Sequence, residues 1–184
     1  MDISTLIYES KQGSNAAQKC LFDEYADKMM LVCKRYLKKT EDAEEVLSDG
    51  FYNFFKGLNS FVYKNDAAVY AWLKKIMVNE CLMFLRKKNV FTIMPELVEE
   101  DCQLREEVLD NLSAAEIFNL ILQLPLGYRT VFNLYVIEGM QHSEIAGLLN
   151  ISEGTSKSQL SKAKTLLQKY LLQNGTEYVK RKNK

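Results

Sequence analysis

Histidine is almost absent from this chain, one residue in 184, and proline occurs only twice. With His142 as the sole imidazole, a histidine-based zinc site or nucleophilic triad lacks its material. Two prolines and eight glycines leave few obligatory breaks, which suits long helices. The four cysteines, Cys20, Cys33, Cys81 and Cys102, are scattered and form no C-x-x-C pair. Cys20, Cys33 and Cys81 fall among apolar residues at helical spacing and are expected as buried, reduced thiols. No apolar run approaches the roughly 18 residues that a membrane span requires. The start, Met1-Asp2-Ile3-Ser4, has no basic-then-apolar export pattern, so a cytoplasmic protein is expected, one in which a structural disulfide is not. G-x-x-x-x-G-K, H-E-x-x-H and G-x-S-x-G are all missing, and nothing selects a catalytic carboxylate pair. These absences favour a protein that binds rather than catalyses, with no cofactor, metal or small-molecule substrate.

Net charge is also missing, since 24 Lys and Arg offset 24 Asp and Glu. The distribution is more telling than the sum. Five acids and no base lie between Glu41 and Asp49, and seven acids face only Arg105 between Pro95 and Asp110. From Gly154 onward eight Lys or Arg meet a single acid, Glu177. The chain therefore has an acidic helix, an acidic connector and basic zones suited to different partners.

Hydrophobic residues make up 47% of the chain, and outside one central stretch their period is helical. Asp2 to Lys11 is a short candidate helix, broken at Gly13, with Ser14 placed to cap the next. Leu21, Tyr25, Met29, Val32 and Tyr36 recur at steps of three or four, one face of a helix running to about Lys39. Thr40 is the next N-cap candidate, with Glu41, Asp42 and Glu44 where the helix dipole favours anions. Ala43, Val46, Leu47, Phe51, Phe54, Phe55 and Leu58 give that helix its apolar face. Phe61 to Asp66 reads as a loop. Asp66 is expected to cap a helix carrying Val69, Trp72, Leu73, Ile76, Cys81, Phe84 and Leu85 and ending in Arg86-Lys87-Lys88. Asn89 to Asn111 has weak periodicity and mostly acids, and reads as a partly extended linker. Beyond it, Ser113 caps a helix that Pro125 stops, and Tyr128 to Glu138 forms another that Gly139 ends. His142 or Ser143 opens a helix to Leu149, and Gly154 or Thr155 starts a last one to about Gln173.

The segment His142 to Tyr170 has the parts of a helix-turn-helix. Ala146 is the small residue over which the second helix can cross. Asn150 sits at the turn, where a left-handed backbone is needed and asparagine tolerates it. Ile145, Leu149, Ile151 and Leu160 can pin the two helices. On the second helix Leu160, Ala163, Leu167 and Leu171 point inward. Lys157, Ser158, Ser161 and Lys162 share the other side, with Gln159 at its edge. Short polar side chains flanked by lysines suit a major groove. A helical hairpin with a solvated basic face has the same pattern, and spacing leaves both open.

Three blocks in order resemble the extracytoplasmic-function sigma factors, the smallest group of the sigma-70 family. LPLGYRTVFNLYVIEGMQHSEIAGLLNISEGTSKSQLSKAKTLLQ, from Leu124 to Gln168, is similar to region 4, with its leucine-proline, arginine, E-I-A and I-S-x-G-T. DAEEVLSDGFYNFFKGLNSF, from Asp42 to Phe61, resembles region 2.1 to 2.2. YAWLKKIMVNECLMFLRKKN, from Tyr70 to Asn89, resembles region 2.3 to 2.4. E-I-A alone is common among regulators; the order and spacing of all three blocks make the resemblance specific.

The resemblance implies an all-α fold with a region 2-like domain over 1–89, an acidic linker over 90–111, a region 4-like helix-turn-helix domain over 112–175 and a basic tail over 176–184. It implies a factor that carries core RNA polymerase to promoters, docking on the β′ clamp helices and the β flap, and helps open the −10 element. Glu45, Ser48, Asp49 and Asn53 match polymerase-binding positions, although the family usually has glutamine where Ser48 stands; Phe51 is expected in the core. Phe61, Tyr63, Lys64, Asn65, Lys75, Asn79 and Arg86 match the −10 surface, where the loop before the Trp72 helix takes a flipped base. Asn79 is seven residues past Trp72 and lies only about 20° away around a helix. There it is expected either to meet a base edge beside aromatic surface or to be a buried amide bonded to backbone. Lys74, Lys87 and Lys88 are further candidates to track phosphates. Thr155, Lys157, Ser158, Gln159, Ser161 and Lys162 match the −35 reading positions. Lysines stand where relatives often carry arginine, and Ser156 replaces a common valine, which is expected to loosen packing of the recognition helix. The linker resembles the connector that threads toward the RNA exit path, and a free, solvated tether is the other reading its composition leaves open. An anti-sigma protein is a further partner that members of this family often have. The alternative reading is a helix-turn-helix regulator that acts without being a polymerase subunit.

Overall fold

The computed structural model describes residues 2–88 and 113–182, with the side chains of 114 and 174–182 left aside. The chain divides into two compact units, Met1–Lys88 and Asn89–Lys184. All regular structure among the described residues is helical, as the periodicity requires. The expected linker, Cys102 within it and the last residues of the basic tail lie outside the described residues.

The first unit contains α1 (Ile3–Lys11), α2 (Asn15–Tyr36), α3 (Thr40–Gly57) and α4 (Asp66–Lys87), with a single 3-10 turn, Leu58–Ser60, after α3. The α2 stripe is buried as expected: Leu21, Tyr25, Met29, Val32 and Tyr36 all lie inside. From α3 come Ala43, Val46, Leu47, Phe51 and Phe54, and from α4 Val69, Leu73, Met77, Cys81, Leu82 and Leu85. α1 adds Leu6 and Ile7 to the same core. Gly50 lets α3 approach α4 closely: a Cβ there would come within 2.3 Å of the Met77 sulfur. Ser14 caps α2 by accepting from the Ala17 amide at 3.3 Å.

Three expectations need correction here. Thr40 is the first residue of α3, not its N-cap; Lys39 holds that position and no side chain caps it. Asn65, not Asp66, caps α4, accepting from the Ala68 amide at 2.8 Å. Cys20 is exposed while Cys33 and Cys81 are buried, because position 20 is about 100° around the helix from the Leu21 stripe.

The second unit contains α5 (Ala114–Gln123), α6 (Leu126–Phe132), α7 (His142–Leu149) and α8 (Glu153–Lys182). Ser113 and Glu116 form a reciprocal capping box at the start of α5. Leu124, Tyr128 and Ala163 form a buried cluster on which Phe132, Leu166, Leu167 and Tyr170 pack. α6 passes into a π-helical turn, Asn133–Ile137, before Gly139 reverses the chain at φ +72°. α8 continues through Gly175 to Lys182 instead of ending near Gln173. No proline follows to stop it, and one interior glycine costs a helix only about 1 kcal/mol.

Arg129 explains why an arginine follows the leucine-proline. Its side chain is buried, and Nη1 donates to the carbonyls of Leu122 and Leu124, each at 3.2 Å. Those carbonyls end α5, where no helical amide remains to serve them. Burial lowers the guanidinium pKa to about 10, which leaves it cationic at neutral pH. No described helix is long and apolar enough to cross a membrane.

Candidate nucleic-acid and polymerase interfaces

In the second unit the turn between α7 and α8 has the geometry that the sequence demands. Asn150 is left-handed, with φ 55° and ψ 48°, and it is the sole non-glycine residue at positive φ among those described. Ile145, Leu149 and Leu160 are buried beneath it. Ser152 accepts from the Thr155 amide at 2.9 Å and bonds the Thr155 hydroxyl at 2.8 Å, so it caps α8. Thr155 is therefore half-buried and engaged in the cap.

Beyond the cap α8 sorts its residues by face. Lys157, Ser158 and Ser161 are exposed and Lys162 is half-buried. Lys157 stands 4.0 Å from Glu153 in an exposed pair, a geometry worth little energy that leaves the lysine available. Gln159 is a correction: its side chain is only 4% exposed, so it is no part of the outward surface. It lies one turn before Ala163, on the side that packs into the unit. Ser156 also differs from the expected loosening. It is fully buried, and its hydroxyl bonds Nδ1 of His142 at 2.8 Å. The His142 ring in turn stacks on Tyr135 with centroids 4.5 Å apart. A polar link between α7 and α8 thus stands where an apolar contact is missing.

In the first unit the loop from Phe61 to Asn65 is held at both ends. The Phe61 ring lies on Trp72, with centroids 4.4 Å apart and planes 8° from parallel. Gly57 makes room for that indole, since a Cβ there would lie 3.1 Å from it. At the far end Asn65 caps α4, and the Tyr63 hydroxyl donates to Asp66 at 2.7 Å. That bond to a carboxylate raises the Tyr63 pKa to about 12, so the phenol remains a donor at neutral pH. Three matched positions, Phe61, Tyr63 and Asn65, thus shape the loop itself. Lys64 is exposed, and Val62 is 74% exposed. Val62 falls within the loop expected to take a base but is not among the matched positions; unlike its half-buried aromatic neighbours Phe61 and Tyr63, it is exposed to solvent.

On α4, Asn79 and Lys75 are exposed and Trp72 is half-buried. The Asn79 amide makes no hydrogen bond among the described residues, which removes the buried-amide alternative. Arg86 is exposed, with its Nε 3.4 Å from the Leu82 carbonyl. Lys88 is less available, because it pairs with Asp42 at 3.0 Å and lies over the Phe84 ring.

The outer face of α3 carries exposed Glu45, Ser48 and Asp49. Asn53 is half-buried and donates to Glu80 of α4 at 2.9 Å, so it braces the two helices. Tyr52, 66% exposed, is missed by the sequence reading although it falls one turn past Asp49. Glu45 and Asp49 also line a cleft of about 250 Å³ together with Glu80, Met83, Phe84 and Lys87. Phe51 is core, as expected.

The two units that carry these surfaces are matched by two models of one family. Residues 21–90 match the model of sigma-70 region 2, and residues 109–167 match that of sigma-70, region 4. The chain belongs to the sigma-70 family. It is similar to the ECF RNA polymerase sigma factor SigW of Bacillus subtilis, 27% identical, with 93% of this chain and 97% of that one covered. It is similar also to the ECF RNA polymerase sigma factor SigM of Mycobacterium tuberculosis, 27% identical, with 86% and 79% covered. Among solved structures, CnrH in complex with the cytosolic domain of CnrY covers 91% of this chain and 95% of that one, at 20% identity and a TM-score of 0.48. The chain is thus an extracytoplasmic-function sigma factor, which directs RNA polymerase to promoters and is not an enzyme. Family membership also sets aside a regulator that works apart from polymerase.

Proposed function

We propose that the two units of this sigma factor divide promoter recognition between them, in the cytoplasm. The first unit, with Glu45, Ser48 and Asp49 on α3, docks on the β′ clamp helices. Its loop around Val62 and Lys64, with Asn79, Lys75 and Arg86 of α4, takes the opened −10 strand. The second unit engages the β flap and lays Lys157, Ser158, Ser161 and Lys162 in the major groove at the −35 element. The acidic segment 90–111 joins them as the connector, and an anti-sigma protein of the kind that partners many relatives restrains the free factor.

The observation that carries this reading is the exposure of Asn79 on α4, two helical turns past Trp72, whose indole stacks on Phe61. An exposed amide that can bond a base edge, on the helix that also carries aromatic surface, supports the holding of an unstacked base. The separate exposed lysine and serine face of α8 supports duplex contact instead. The test is reconstitution: the chain is mixed with core polymerase and assayed for co-elution and for transcription from genomic templates. Co-elution with new, discrete start sites is expected. A protein that binds core polymerase but starts no transcription would overturn the proposed division.

A further inference from the structure

A long-range hydrogen bond ties α1 to the loop. Lys11 Nζ donates to the Phe61 carbonyl at 2.6 Å, across 50 residues of sequence. α1 is fixed to the unit by the buried side chains Leu6, Ile7 and Ser10, so the ammonium is presented from a rigid base. The region 2 match begins at residue 21, which leaves α1 outside it.

Phe61 is where the loop leaves the fold. Its amide donates to the Leu58 carbonyl at 3.0 Å, its ring lies on Trp72, and its carbonyl is taken by Lys11. The first two contacts fix the residue, and only the third fixes the peptide plane that leads into Val62. A charged donor at this distance makes one of the stronger hydrogen bonds available to a carbonyl. A loop held in place before binding loses less entropy when it closes on a ligand.

We propose that Lys11 is a positioning residue for strand recognition: by holding the Phe61 carbonyl it sets the direction of the Val62–Lys64 segment that meets an extruded base. This rests on the reading that the loop takes a base of the opened strand. Lys11 itself touches neither DNA nor polymerase in this arrangement.

The test uses holoenzyme made from core polymerase and the full chain, either unaltered or carrying Lys11→Met or Lys11→Arg. Each holoenzyme selects from a short random-sequence single-stranded DNA pool, and the bound strands are sequenced. Backbone amide exchange at Val62 and Tyr63 is measured on the free proteins. The unaltered protein is expected to enrich a motif. Lys11→Met keeps polymerase binding and most of that motif, but enrichment at one position falls about tenfold. Its exchange rises in the loop and not in the helices, and Lys11→Arg restores both. An unchanged motif with unchanged exchange would overturn the proposal. So would an even loss at all positions with a shallower salt dependence, which would make Lys11 a phosphate contact. A Lys11→Met protein that no longer binds polymerase would show Lys11 to be needed for the fold, and would also overturn it. If the unaltered holoenzyme enriches nothing, the reading of the loop fails, and the role of Lys11 with it.

Discussion

Asn79 and Gln159 are both amides on helices, and their surroundings separate them. Asn79 is exposed on α4, whereas Gln159 lies inside the second unit. Exposure is what a base contact requires, so Asn79→Ala is expected to lower promoter opening about tenfold, read as permanganate reactivity of the −10 strand. Binding to core polymerase is expected to stay as it is; equal loss of both would make Asn79 a structural residue. Gln159→Ala is expected to shift thermal stability before it shifts DNA affinity. Lysines on α8 give a different signature. Lys162→Ala is expected to weaken binding to upstream duplex and to reduce the slope of log K against log salt by about 0.9, the share of one phosphate. An unchanged slope would show that Lys162 touches none.

At the scale of the elements, the ends and close approaches of helices control stability. Arg129→Ala leaves the terminal carbonyls of α5 without their donor and is expected to destabilise the second unit by about 2 kcal/mol, read from denaturant unfolding. Gly50→Ala drives a methyl into Met77 at a fully buried site and is expected to cost about 1–2 kcal/mol in the first unit. The helices are plain in the sequence because each buries a stripe with a clear 3.6-residue period, as Leu21 to Tyr36 does. The left-handed turn is plain because few residues other than asparagine tolerate it at Asn150. Caps are less so: Asn65 and Asp66 are both good capping residues, and a one-residue choice depends on where the loop delivers the chain. Gln159 is misread because it falls at the boundary between two faces, where a small rotation of α8 decides burial. The tie from Lys11 to Phe61 has no local signal at all, since its two ends meet only through packing of α1.

At the scale of the whole molecule, charge is segregated along the chain. Acids cluster on α3 and bases on α8, so a zero net charge coexists with surfaces of opposite sign. The chain has two compact units, and the proposed division assigns opened strand to one and intact duplex to the other. The most direct measurement of that division is a footprint of reconstituted holoenzyme on a promoter it transcribes, with permanganate marking opened bases and hydroxyl radicals marking protected backbone. Asn79→Ala is expected to lose permanganate reactivity at −10 while keeping protection at −35. A Lys157→Ala, Lys162→Ala double variant is expected to lose protection at −35 first and to open the −10 region normally once bound. Loss of both signals together in each variant would contradict the division of labour.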